Sequence, residues 1–338
     1  MKYLTLSACI IFLLLFSGVS HAAHDTLMKQ ANQFFKPLPK VMESAQNPIT
    51  PAKVRLGKML FYETRLSVDG TVSCEKCHPF SLYGADGLKK SVAADCKVAP
   101  RNAPTVLNAA GQISEHWLGN MKNVEEQASK AMSNMPGGNY TDVVTKLEGI
   151  KGYVKLFKDA FPQDKSPITM KNIGLAIGAF ERTLVTPSPF DAYLKGDEHA
   201  LTREQKEGLK TFIDTGCIQC HNGTYVGGGM YMKFGIYAPY WKYTKSKKID
   251  KGRYELTKNN ADLYVFKVPV LRNVAMTSPY FHDGSVNRLQ DAVRIMAKIQ
   301  LNKDLSNDDI KKIVSFLGSL TGTMSKDALT VPVLPADQ

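Results

Sequence analysis

Cys74-Glu75-Lys76-Cys77-His78 and Cys217-Ile218-Gln219-Cys220-His221 are two copies of one pattern, Cys-x-x-Cys-His. The spacing is that of covalent c-type haem attachment. The two thiols of each copy add to the two vinyl groups of one haem, and the imidazole that follows reaches the iron from the proximal side. A bare Cys-x-x-Cys would read equally well as a redox dithiol or as half of a zinc site. A His directly after the second Cys, found twice, decides for two covalent haems. A chain with two haems moves electrons, and an iron with an open axial position adds oxygen or peroxide chemistry.

Upstream, Lys2 precedes an apolar run from Leu4 to Val19 and the small-residue site Ser20-His21-Ala22. Residues 1–22 read as a secretory signal cleaved after Ala22, with a retained N-terminal anchor as the alternative. The run is short for a bilayer span. Cys9, in Leu6-Ser7-Ala8-Cys9, looks like a lipobox residue but lies on the wrong side of the apolar run, so it belongs to the signal. The expected product is soluble and exported. The periplasm fits, because covalent c-haem is assembled on the far side of the bacterial inner membrane. Of the five Cys outside the signal, four are committed to haem and Cys96 stands alone, which leaves no disulfide framework. The rest of the chain is long enough for two domains. Lys and Arg number 43 against 31 Asp and Glu, spread along the chain apart from a concentration at Lys242 to Lys251. Nucleic acid is a poor partner for an exported haem protein. The basic balance reads as a solvated surface, or as a docking surface for an acidic electron donor.

The local signals are mostly helical. Thr50-Pro51 is an N-cap followed by Pro at the first helical position, with Leu56, Leu60 and Phe61 continuing the helix. Ile173, Ile177, Phe180 and Leu184 recur on one face of a buried helix. Thr202 to Gln205 is a capping box, and the helix after it leads to Cys217. Ser306 to Asp309 opens a last helix with Ile310, Ile313, Val314 and Leu317 inward. The expected fold is mainly α, with two cytochrome c-like haem domains at residues 23–185 and 196–338 and a linker at Thr186 to Lys195. A faint echo between the halves suggests duplication of a cytochrome c unit.

Three groups of segments carry a resemblance. The first is Phe266-Lys267-Val268-Pro269-Val270-Leu271-Arg272-Asn273-Val274, then Ser278 to Gly284, then Leu289 to Met296. The second is Gly84 to Gly87, then Pro100 to Ala109. The third is Glu125 to Ala128 and Gly152 to Phe157. With the two Cys-x-x-Cys-His motifs in register, the chain resembles the bacterial di-haem cytochrome c peroxidases from about Pro51 to Leu320, a family that includes the MauG-type enzymes acting on a protein substrate. The resemblance implies that His221 and Met296 ligate the C-terminal, high-potential haem, and that His78 ligates the haem where peroxide is reduced. It implies that His282 lies behind the haem ligands and that Trp117 is an aromatic stepping stone between the haems. Asn102, Thr277 and Pro279 match residues that hold a structural Ca²⁺, the last two through backbone carbonyls. Gln127 matches the distal catalytic Gln. A homodimer, hydrogen peroxide, and a small cytochrome c or cupredoxin as electron donor are implied as well.

Two departures from the family pattern follow. Where many members carry a distal His that blocks the peroxidatic iron, the ungapped position is Ala94, between Ala93 and Asp95-Cys96. Either the iron is permanently open, or His116 or Cys96 replaces that ligand. The family's distal Glu falls on Gly137, in Met135-Pro136-Gly137-Gly138. The candidates to replace it are Glu115, Glu125, Glu126 and Asp95, which position alone does not rank. Three functions remain in play: a peroxidase, a di-haem oxidase of another substrate (Met296 counts against the MauG form), and an electron-transfer or sensor protein that has lost peroxidase chemistry.

Overall fold

The computed structural model describes residues 26–133 and 140–336. The signal segment and Gly137 lie outside the described residues. Helix dominates. The frame consists of α1 (26–34), α2 (Pro51–Tyr62), α3 (Val124–Ser133), α4 (Met170–Glu181), α5 (Pro189–Leu194), α6 (Arg203–Thr215), α7 (Leu289–Leu301) and α8 (Asn307–Gly318). One short antiparallel ladder pairs β1 (Tyr231–Lys233) with β2 (Val265–Lys267), Tyr231 opposite Lys267. No described helix is long and apolar enough to cross a membrane.

The helix starts follow their caps. Thr50 Oγ1 accepts the Lys53 N–H at 3.2 Å and Pro51 occupies the first turn of α2. Thr202 and Gln205 cap each other at the head of α6, and Ser306 accepts the Asp309 N–H at the head of α8. Each satisfies a backbone donor that the helix leaves unpaired.

Two cores are built on the same device. In the first, α2 crosses α4 at Gly57, where a Cβ would stand 1.9 Å from the Ala176 carbonyl oxygen. In the second, α6 crosses α8 at Gly208, where a Cβ would stand 1.9 Å from the Lys312 carbonyl oxygen. α6 leads directly to Cys217, and α2 precedes Cys74 with a short helical turn, Thr64–Leu66, between them. Leu60, Phe61, Ile173, Ile177 and Phe180 fill the first core; Leu209, Phe212, Ile313, Phe316 and Leu317 fill the second. Val314 is only half-buried, and Phe316 takes the inner place beside Ile313. The ends of the chain cross over. Ala31 and Phe35 join the second core, while Met324, Ala328 and Leu334 pack on the first.

The expected linker is not an extended connection. Thr186 to Lys195 contains α5, and Phe190 and Tyr193 are fully buried in the second core. Arg272, fully buried, donates to Asp191 Oδ2 at 2.8 Å and to Ser188 Oγ at 3.1 Å. Asn108 and Asn273, both left-handed at φ 58 and 63, each send their amide to Thr186 Oγ1. The two residues hold matching places in Pro104-Thr105-Val106-Leu107-Asn108 and Pro269-Val270-Leu271-Arg272-Asn273, so Thr186 is a pin on which both halves close.

Candidate functional site

The first motif folds as a single helical turn, Cys74–Cys77, and the His78 N–H closes it on the Cys74 carbonyl at 3.0 Å. His78 Nδ1 lies 3.0 Å from the Gly84 carbonyl oxygen. A carbonyl only accepts, so Nδ1 carries the proton and Nε2 keeps its lone pair for a metal. The second motif is a tighter turn, Cys217–Gln219, closed by the His221 N–H on the Cys217 carbonyl at 2.9 Å. Burial pulls the His221 imidazole down to about 4, against the backbone carbonyls of Val226 and Pro269, and its Nδ1 closes no hydrogen bond.

Neither pair is poised as a thiolate, since burial pushes the Cys74 and Cys217 thiols up to about 12. Reactive dithiols and zinc ligands need the opposite shift. Among the described residues no three His, Cys, Asp or Glu side chains converge as a metal cluster. Both motifs fit thioether attachment to haem better than either alternative. A cavity of about 240 Å³ begins at Cys217, Cys220 and His221 and is walled by Phe212, Val274, Val293 and Leu317. Met296, on α7, lines the same cavity, as does Met232, so the His221 imidazole and a thioether share a largely apolar chamber of the kind haem requires.

The cavity runs on to a seam where the two halves meet. Trp117 reaches it from the first half, its Nε1–H donating to the Asn102 carbonyl at 2.9 Å. His282 is buried there, 6.3 Å from Trp117 between ring centroids and stacked on Phe266 at 4.4 Å. Its Nε2 has no hydrogen-bond partner and lies 3.8 Å from Asp250, which Arg101 holds with two bonds of 2.7 and 2.9 Å. Asn102, Thr277 and Pro279 also line this cavity, and the Asn102 N–H donates to the His282 carbonyl at 2.8 Å.

Beside the first motif the residues are charged and buried. Glu115, Glu125, Glu181, Arg182 and Lys267 are each less than a tenth exposed. Glu125 is locked to Arg182, which donates at 2.6 and 3.0 Å, and accepts a bond from the Asn47 amide at 3.0 Å. Burial opposes that charge, but the Arg182 pair outweighs it and holds the carboxyl below the usual range. Glu181, at the end of α4, interacts with Cys74, and burial keeps its carboxyl well above the usual range. Glu115 is pushed up by burial and held back by Lys267, which burial in turn pulls down.

Of the remaining expected residues, Gln127 is half-buried on α3 with no side-chain hydrogen bond among the described residues. Ala94 is buried, Cys96 is exposed at φ 56, and His116 Nδ1 pairs with Asn120 Oδ1 at 3.2 Å beside the seam cavity. Sequence reasoning missed Glu181, Lys267 and Met232, the last two both lining the cavity. The clue for Glu181 was a carboxylate in a helix buried on nearly every side. For Lys267 and Met232 nothing local marks the role, since pairing of β1 with β2 brings them in.

A family model described as di-haem cytochrome c peroxidase matches residues 51–199. The chain is 44% identical to the cytochrome c551 peroxidase of Pseudomonas aeruginosa, over 96% of this chain and 94% of that one. It is 40% identical to the cytochrome c551 peroxidase of Nitrosomonas europaea over 86% of this chain and 89% of that one. It is 31% identical to the methylamine utilization protein MauG of Methylorubrum extorquens, covering 94% and 91%. A solved structure of a MauG-like protein associated with microbial copper homeostasis superposes with a TM-score of 0.74 at 25% identity, covering 88% of this chain and 97% of that one. This chain belongs to the di-haem cytochrome c peroxidase family.

Proposed function

We propose that the protein reduces hydrogen peroxide to water with electrons from a small carrier, a cytochrome c or a cupredoxin, outside the inner membrane. The overall change is H₂O₂ + 2 e⁻ + 2 H⁺ → 2 H₂O, with each electron drawn from a separate one-electron donor. The observation that carries this reading is the asymmetry of the two Cys-x-x-Cys-His sites: a largely apolar chamber with Met296 at one, and Glu181 with its buried charged neighbours against Cys74 at the other. Two covalent haems would be held by Cys74, Cys77 and His78, and by Cys217, Cys220 and His221, in two cytochrome c-like domains. When bound they supply the redox chemistry.

Met296 would close the second iron. A thioether favours the reduced metal, so this site would receive electrons. Trp117, between the sites, would carry them across, and the buried His282 would hold the adjoining wall. At the first site, Ala94 leaves room where a blocking imidazole would stand, and Gln127 would orient the peroxide. Asn102, Thr277 and Pro279 share the seam wall, and their hard oxygens suit a Ca²⁺ that ties the halves together. A homodimer and a cleaved signal at residues 1–22 complete the reading.

The test is steady-state oxidation of a reduced small cytochrome c or cupredoxin, driven by hydrogen peroxide. Peroxide-dependent turnover is expected. Donor oxidation that ignores peroxide would refute the reading.

A further inference from the structure

We propose that Glu115 is the group that moves the proton during peroxide cleavage at the first site. This rests on the peroxidase reading above and names the residue that completes it. Cleaving H₂O₂ into water needs a base that takes a proton from one oxygen and returns it to the other. Glu115 Oε1 accepts the proton from the oxygen nearer the iron. The O–O bond breaks, and the same proton passes to the departing oxygen, which leaves as water with the bonding pair. The remaining oxygen becomes the second water on gaining two electrons, one from each donor equivalent, and two protons from solvent.

Geometry ranks Glu115 above Glu125, Glu126 and Glu181; the Asp95 side chain lies outside the described residues. Glu125 is occupied by Arg182 and Asn47. Glu126 accepts from Lys130 at 2.7 Å and from the Lys122 N–H at 2.6 Å on the solvent side of α3. Glu181 is buried against Cys74 with no cation but Arg182 acting on it, and burial drives its carboxyl well above the usual range, which disfavours the charged form a base needs. Glu115 is buried, and its Oε1 has no hydrogen-bond partner. An unpartnered buried oxygen is costly and signals a group kept for a ligand, a water or a proton.

The backbone fixes this side chain at the seam. The Glu115 N–H donates to the Met121 carbonyl at 2.8 Å, closing a short bridge around Trp117. The Lys267 N–H donates to the Trp117 carbonyl at 2.8 Å, and the Lys267 ammonium bonds the Gln112 side-chain oxygen. A buried acid and a buried cation thus flank the aromatic residue expected to carry electrons. The charged and titratable groups facing Glu115 are Lys267 from β2, Glu125 from α3, and Glu181 and Arg182 from the end of α4. Burial raises its proton affinity and the Lys267 cation restrains that rise. A base must be deprotonated, so the proton-transfer rate climbs as pH rises through this raised value.

The test uses the haem-loaded full chain, with Glu115→Gln and Lys267→Met, and reads cyanide association as well as turnover. Hydrogen cyanide must lose its proton as it binds, so its rate reports the base without any turnover. Glu115→Gln should lower peroxide turnover about 10²–10⁴-fold and remove the rising pH limb of cyanide association. Lys267→Met should move that limb to higher pH, because the cation no longer favours the carboxylate. A Glu115→Gln protein that keeps both rates and the limb overturns the inference. If that variant fails to load haem, an unmoved limb in Lys267→Met overturns it instead. A wild type without turnover would overturn the peroxidase reading and with it the role in peroxide cleavage; a cyanide limb that still depends on Glu115 would then show that the residue is the pocket's base but not a peroxidase base.

Discussion

The two Cys-x-x-Cys-His regions share a scaffold and differ in polarity. Each follows a helix that crosses a later helix at a glycine, Gly57 or Gly208, and each closes through a left-handed Asn, Asn108 or Asn273, onto Thr186. Around His221 the walls are largely apolar and include Met296, the thioether that the sequence singled out. At the first motif, Glu181 lies against Cys74 and leads to a buried set of Glu115, Glu125, Arg182 and Lys267. The lesson is that a duplicated frame fixes where a haem attaches, while what surrounds it fixes the job. An apolar chamber with a thioether suits an iron that stores an electron, and buried ionisable groups suit one that needs protons.

The largest expected effect breaks one region and spares the other. Replacing both thiols of one motif, Cys217→Ser with Cys220→Ser or Cys74→Ser with Cys77→Ser, should halve the haem that stays with the chain under denaturing acid extraction. Haem stripped completely from the wild type by acid would end the comparison.

Next in size is the Glu125–Arg182 pair of the first region. Arg182→Met leaves the Glu125 carboxylate buried without its partner, at a cost of about 3–5 kcal/mol in chemical denaturation. The folded carboxyl sits below its unfolded value, so this stabilisation is present above the unfolded value and is lost as pH falls through the folded one. The gap between variant and wild type should therefore close in acid. A gap independent of pH would mean that packing, not the ion pair, was lost.

Met296→Leu should remove a thioether-to-iron absorption band and lower one of the two reduction potentials, leaving the other in place. An unchanged spectrum would point to Met232, which lines the same cavity. The smallest effect tests the shared frame. Gly208→Ala and Gly57→Ala force a methyl onto a facing backbone oxygen and should each destabilise by about 1–3 kcal/mol.

Much of this frame is local chemistry and was legible in the sequence. Thr50, Thr202 and Ser306 open their helices because a side-chain oxygen satisfies an N–H a few residues on. The attachment motifs are legible for the same reason, their parts lying within one turn. The burial of the segment expected as a linker was not legible because it depends on Arg272, far along the chain, pairing with Asp191. Lys267 and Glu115 were opaque for the same reason. Lys267 looks like an ordinary strand residue until β2 sets it behind Trp117, and Glu115 was one of four unranked acids until the partners of Glu125 and Glu126 were seen. The crossing of the chain ends had no local signal at all.

The central claim is that the two sites have different jobs, one closed by Met296 and one open at Ala94. Electron paramagnetic resonance and optical spectra of the fully oxidised wild-type protein test it most directly. The account predicts one low-spin haem and one high-spin haem, the latter binding cyanide without prior reduction. Two low-spin haems in the oxidised protein at room temperature would contradict it.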